Sequence, residues 1–194
     1  IKATRGKHMK KRTVARRRHA SRHDPLPSRF VAIDASSHAV GWAMFTNGNL
    51  AACGAFSTRA DDLVDRVARL SQSLVGSLLR HVVIDRNNPD YPALVCEVAS
   101  GLRHAGKTSP RTTATLGFAQ GFVAASLANH GFRPVVLVPD NAWTGGMDKR
   151  KRQALMIASE PVYAAFAPRD KGADAADAVG LGLHVIRMEE FRNV

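Results

Sequence analysis

Four carboxylates stand where a fold can bring them together. Asp34 ends the apolar run FVAID, Glu97 ends ALVCE, and Asp174 and Asp177 lie three residues apart in GADAADAVGLGLHVI. An acid at the end of a buried strand faces a cleft rather than a core, and a helix places residues i and i+3 on one side. Taken singly, each acid reads equally well as a turn former or a helix cap. As a group they ask for more, because carboxylates crowded in an apolar surround cannot all stay ionised unless protons or cations neutralise them. Oxygen-only donors without a Cys or His cage favour Mg²⁺ or Mn²⁺ over Zn²⁺. Two such ions roughly 3.5–4 Å apart form the usual clamp for in-line attack on a phosphodiester.

Three short apolar runs separated by turn chemistry occupy RFVAIDASSHAVGWAMFTNGNLAACGAFST, where Asn47-Gly48 is a strong hairpin signal. They predict three consecutive antiparallel strands, of which the first is apolar on both faces and therefore central. Leu63, Val64, Val67, Leu70, Leu74, Val75 and Leu78 form a stripe at helical spacing, predicting a helix over 61–81 with Asp61 and Asp62 at its start. RNNPDYP reads as a loop, ALVCEVA as a buried fourth strand and RPVVLVP as a fifth. Between the last two, Ser109 caps a helix over 110–129 that opens on Pro110 and stops at Gly131. Residues 149–158 and 173–188 read as helical. The order predicts an α/β domain: a mixed five-stranded sheet, three antiparallel strands then parallel ones, with helices on both faces. If strands one and four lie side by side, Asp34 and Glu97 are neighbours and the last helix can bring its Asp pair over them.

At 194 residues the chain fits one domain of ordinary size. Its formal charge of +12 is unevenly spread: residues 1–29 hold 11 of the 28 Lys and Arg and one of the 16 acids, leaving 17 basic against 15 acidic residues beyond them. Basicity thus belongs to an arm, residues 1–28, joined to a domain over 29–194. The arm lacks apolar periodicity and exits through Pro25 and Pro27, which reads first as a disordered nucleic-acid-binding tail. An organelle transit peptide is the alternative, which would place the protein in a mitochondrion or chloroplast rather than the cytoplasm of a bacterial or phage-infected cell. No apolar run approaches the length of a membrane span. Cys53 and Cys96 sit in apolar segments and read as reduced core thiols.

AIDASSHAVGWAMF, with Gly41 and Trp42 following the acid, LVCEVA, SPRTTATLGFAQGFVAASLANHGF and GADAADAVGLGL together resemble the RuvC-type Holliday-junction resolvases of the ribonuclease H-like superfamily. The resemblance covers residues 30–190, and the final acidic motif is its most specific part. It implies a ribonuclease H-like fold and a magnesium-dependent endonuclease of DNA recombination and repair. Such an enzyme is a structure-selective endodeoxyribonuclease that resolves four-way DNA junctions by paired symmetric nicks, leaving a 5′-phosphate and a 3′-hydroxyl. Asp34, Glu97, Asp174 and Asp177 would be the ligands of two Mg²⁺ ions, for which Mn²⁺ can substitute. Asp34 would bridge both ions, Glu97 would hold one and orient the attacking water, and the Asp pair would complete the other site. Branched DNA and a second copy of the chain, as a homodimer, are the implied partners.

Lys149, in GGMDKRKRQAL, is the candidate for contacting the scissile or adjacent phosphate, with a solvated basic helix start as its plain alternative. Arg150, Lys151 and Arg152 read as diffuse DNA-facing charge, and Arg103, Lys107 and Arg111 flank the loop after Glu97, lining the same channel or simply the surface. His38 and His184 read as structural histidines, and Trp143 as packing under a loop, with stacking on a base or sugar as the alternative. Gly117, Gly121, Ala124 and Ala125 suit close packing either between subunits or of helix on sheet. Val98-Ala99-Ser100-Gly101 stands where resolvases of this type often carry a large aromatic wedge. Flaps or forks are therefore alternative substrates; a related nuclease of similar acidic geometry acting on RNA–DNA hybrid and a non-catalytic nucleic-acid-binding module are the remaining rivals.

Overall fold

The computed structural model describes residues 26–81, 92–99 and 109–190. The basic arm up to residue 25 and the candidates Arg103 and Lys107 lie outside the described residues. Strands β1 (Arg29–Ala35), β2 (Ala39–Thr46) and β3 (Asn49–Ser57) form an antiparallel meander. Asn47 and Gly48, at φ 50 and 77°, make the turn between β2 and β3, the left-handed pair that a two-residue hairpin loop requires. Strand β4 (Ala93–Val98) pairs parallel with β1, and β5 (Val135–Pro139) pairs parallel with β4, giving the order β3-β2-β1-β4-β5. The mixed five-stranded sheet expected from the sequence is the sheet observed.

Helices α1 (Leu63–His81) and α2 (Pro110–Asn129) cover one face. Ser109 caps α2 by accepting from Thr112 N. Leu63, Val67, Leu70, Leu74, Val75 and Leu78 pack against the core as the α1 stripe predicted, but Val64 is 55% exposed and lies off it. The other face carries α6 (Asp174–Glu190), flanked by α4 (Lys149–Ser159) and α5 (Pro161–Phe166). A five-residue helix α3 (Asp140–Thr144), together with α5 and a 3-10 turn at Ala167–Arg169, fills stretches for which the sequence predicts no element. Such pieces are too short for a hydrophobic period to show.

Strand parity decides where the acids point. Phe30 and Ala32 on β1, and Ala93 and Val95 on β4, pack into the core under α6, whereas Val31, Ile33, Leu94 and Cys96 pack under α1 and α2. Side chains alternate along a strand, so Asp34 and Glu97 share the α6 face. Ile33 pairs with Cys96, which puts Asp34 and Glu97 one rung further along adjacent strands.

The helix that meets them lies unusually close to the sheet. Asp34 pairs across the ladder with Gly41, and a Cβ on Gly41 would overlap the main-chain carbonyl of Asp174. Ala175, Ala176 and Ala178 are fully buried along the same contact. Small residues here let the first turn of α6 sit directly over the end of β1. Among the described residues no helix is long and apolar enough to cross a membrane. Backbone atoms cannot yield as a side-chain tip can, so Gly41→Ala is expected to cost about 1–3 kcal/mol in urea denaturation. An unchanged midpoint would contradict this seating of α6.

Candidate active site

The first turn of α6 is fixed by an acid that is not itself at the cleft. Asp170 is 2% exposed and caps the helix: its Oδ1 accepts from Asp174 N at 3.0 Å, and its Oδ2 accepts from Ala176 N at 3.0 Å. Tyr163, buried on α5, donates its hydroxyl to Asp170 Oδ2 at 3.0 Å, and Gln153 of α4 donates to both Tyr163 Oη and the Asp170 carbonyl at 3.2 Å. The buried charge is thereby met by helix N–H groups and a hydroxyl, and α4, α5 and α6 are tied at one point. Asp170 escaped the sequence reading, although an acid four residues ahead of Asp174 in DKGAD is a helix-start signal.

On this support Asp174 and Asp177 present their carboxylates to Asp34 and Glu97. Lys149 Nζ, at the start of α4, lies 2.8 Å from Asp174 Oδ1 and 3.3 Å from Asp177 Oδ2. Arg152, one turn on, grips Asp177 with both arms of its guanidinium, Nε to Oδ1 at 2.8 Å and Nη2 to Oδ2 at 3.0 Å. Its Nη1 donates to the Met147 carbonyl at 2.5 Å. Trp143 of α3 donates its indole N–H to Glu97 Oε2 at 2.8 Å. All four acids singled out from the sequence meet at one end of the sheet, with Lys149 among them.

The other sequence candidates divide. Arg152, grouped by sequence with Arg150 and Lys151 as diffuse charge, has its side chain on Asp177 and against Trp143. Arg150 and Lys151 are exposed, Lys151 pairing with Asp148 at 3.8 Å, and Arg111 is exposed in the first turn of α2. His38 is exposed with Nδ1 on Ser37 Oγ, and His184 is partly buried on α6. Trp143 packs against the α6 core, as the sequence favoured, but its bond to Glu97 had no sequence signal. Around Gly117 and Gly121 a Cβ would meet nothing within 4 Å among the described residues, so α2 does not press on the sheet there. Cys53 and Cys96 are free thiols, both pushed up to about 12, mainly by burial.

Electrostatics reports the crowding. Burial raises Asp34 well above the ordinary carboxylate range, and the charges of Glu97, Asp177 and Asp174 push it further, with Lys149 opposing. Burial also lifts Glu97 to about 7 despite the Trp143 hydrogen bond, with Asp177 and Asp140 adding repulsion and Arg152 relieving it. For Lys149, burial works against the ammonium, but the Asp174 bond and the surrounding acids outweigh it and hold its pKa above the usual lysine value. Among the described residues no three acid, His or Cys side chains already stand at coordinating spacing; two cationic side chains balance the α6 acids instead. The donors still suit a hard divalent cation, being all oxygen, mutually repelling and mounted on two strands and a helix.

In the absence of divalent ions, folded Glu97 holds its proton more tightly than the unfolded chain does. Its effect on stability is therefore neutral below the ordinary value of 4.5 and increasingly unfavourable as pH rises to about 7. In EDTA, Glu97→Gln is expected to match the parent's urea midpoint at about pH 4 and to exceed it at about pH 8. A parent as stable as the variant at the higher pH would contradict this electrostatic picture.

No protein-family model matches the chain, and no curated protein matches it in sequence. Solved structures do match in fold. Thermus thermophilus RuvC in complex with Holliday junction substrate aligns with a TM-score of 0.58 at 19% identity, covering 84% of this chain and 96% of that one. A second Thermus thermophilus RuvC structure aligns with a TM-score of 0.52 at 18% identity, covering 85% and 96%. With its meander, parallel β1–β4–β5 pairing and acid-bearing last helix, the chain has the RuvC-like form of the ribonuclease H-like α/β fold.

Proposed function

We propose that this protein is a metal-dependent, structure-selective endodeoxyribonuclease that resolves four-way DNA junctions by paired nicks. The observation that carries the reading is the meeting of Asp34, Glu97, Asp174 and Asp177 at the end of β1 and β4, on a fold shared with a RuvC solved on Holliday junction substrate. The four acids would hold two Mg²⁺ ions, or Mn²⁺ in their place. When bound, such ions offset charge building on phosphate oxygens and lower the pKa of an attacking water.

The chain's own residues supply the rest. Lys149, with 43% of its side chain exposed at the rim of the acids, is placed to donate to a substrate phosphate oxygen. Arg111, Arg150 and Lys151 add diffuse positive charge along the DNA, joined by Arg103 and Lys107 from outside the described residues. Two symmetric cuts call for two sites, hence a homodimer. The exposed ring pair Phe118 and Phe122 on α2 supports a subunit contact on that side, beside a groove of about 430 Å³ lined by Gly117, Gly121, Ala125, Val135 and Leu137.

Cleavage assays with Mg²⁺ on four-way junctions, flaps, forks, linear duplex and RNA–DNA hybrid are expected to favour the junction, and a preference for hybrid would overturn the substrate assignment. Asp174→Asn should lose at least about a hundredfold in cleavage while still binding DNA, the scale expected for removing a group that meets developing charge. Equal, absent cleavage in parent and variant would favour the non-catalytic module. Deleting residues 1–28 should weaken junction binding and flatten its salt dependence without abolishing cleavage at low salt. Unchanged affinity across salt concentrations would exclude the arm from DNA binding.

A further inference from the structure

Glu97 accepts a hydrogen bond from the half-buried Trp143 of the short helix α3. We propose that Trp143 is a positioning residue for Glu97, its indole N–H fixing the carboxylate in the orientation that meets a divalent cation. The inference rests on the metal-dependent reading above.

Trp143 has one hydrogen-bond donor and uses it on Glu97 Oε2 at 2.8 Å. A single bond to one oxygen leaves the other oxygen for a cation, the usual arrangement in which an outer partner orients a ligand. The indole is itself held by two contacts. The Arg152 guanidinium carbon lies 5.2 Å from its ring centroid, within cation–π range. At the Cζ3 edge Gly180 of α6 leaves the room the ring occupies, since a Cβ there would stand 2.9 Å from Trp143 Cζ3. Arg152 grips Asp177 at the same time, so one chain of contacts runs from Glu97 on β4 through the indole and the guanidinium to Asp177 on α6. Trp143 rides on the short helix α3, which follows β5 directly and ends on Gly145 in the left-handed conformation at φ 58°. Gly180 lies three residues beyond Asp177, so the same helical face that bears the acid admits the ring that steadies its counterpart.

Mn²⁺ binding by the full chain, read from the electron paramagnetic resonance of free Mn²⁺, separates positioning from packing. Trp143→Phe keeps most of the ring volume and removes the donor. Its half-saturation concentration is expected to rise about tenfold or more, the usual effect of losing such a partner. Its cleavage of a four-way junction should recover toward the parent's maximal rate at saturating Mn²⁺. A purely structural role would lower the unfolding midpoint and the maximal rate while leaving half-saturation in place. Gly180→Ala retains Trp143 but displaces the ring, and should shift half-saturation in the same direction; it decides the matter if Trp143→Phe fails to fold. Parent-like half-saturation in either variant, folded by circular dichroism, overturns the proposal. A parent that binds no Mn²⁺ removes the metal-dependent reading itself, and this inference with it.

Discussion

Repulsion among four carboxylates at one end of a sheet is the constraint on which the rest of this structure turns. Asp34 and Glu97 are brought side by side by the parallel pairing of β1 and β4, and the first turn of α6 adds Asp174 and Asp177. Left to themselves, such groups would take up protons or drive the helix off the sheet. Here the α4 cations do part of the neutralising: Lys149 stands between the two α6 acids and Arg152 grips one of them. Burial first, and the neighbouring acids after it, still raise Asp34 and Glu97 above their ordinary values, against Lys149 for the one and Trp143 and Arg152 for the other. A site left short of positive charge, with one lysine half exposed at its rim, is suited to a divalent cation and a phosphate arriving together.

Packing and charge solve the same problem from opposite sides. Gly41 and the alanines of α6 let the helix come down until its main chain touches β2, which is what brings the acids within reach of one another. Asp170 then holds that first turn in place through its two N–H acceptances and through Tyr163. Loss of either device would leave the acids in the sequence and take the site away. The Glu97–Trp143–Arg152–Asp177 chain of contacts ties the strand acid to the helix acid.

How much of this was legible depended on whether a residue's role is local. Asp34 and Glu97 could be read because each closes a contiguous apolar run, and Asp174 and Asp177 because three residues is a helical step; both signals lie within a few positions of the residue itself. The five strands were legible for the same reason, down to the Asn47-Gly48 turn, whereas the pairing of β1 with β4 entered only as a condition. The contacts of Trp143 and Arg152 were not legible, and Asp170 was passed over although its place ahead of the helix is a local signal. Trp143 meets Glu97 across 46 residues of chain, and Arg152 meets Asp177 across 25, on helices whose mutual placement no local pattern encodes. Helices α3 and α5 span less than two turns and carry no period to detect. Arg152 sat inside DKRKR, where composition points to a uniformly solvated cluster, and only the fold distinguishes the residue one turn further along from its neighbours.

Anomalous diffraction from crystals soaked in Mn²⁺ tests the shared-site claim most directly. Two peaks are predicted between the side chains of Asp34, Glu97, Asp174 and Asp177, with the Lys149 ammonium displaced from the acids. Strong Mn²⁺ peaks elsewhere in the crystal, with none among these four side chains and Lys149 still bound to Asp174, would contradict it.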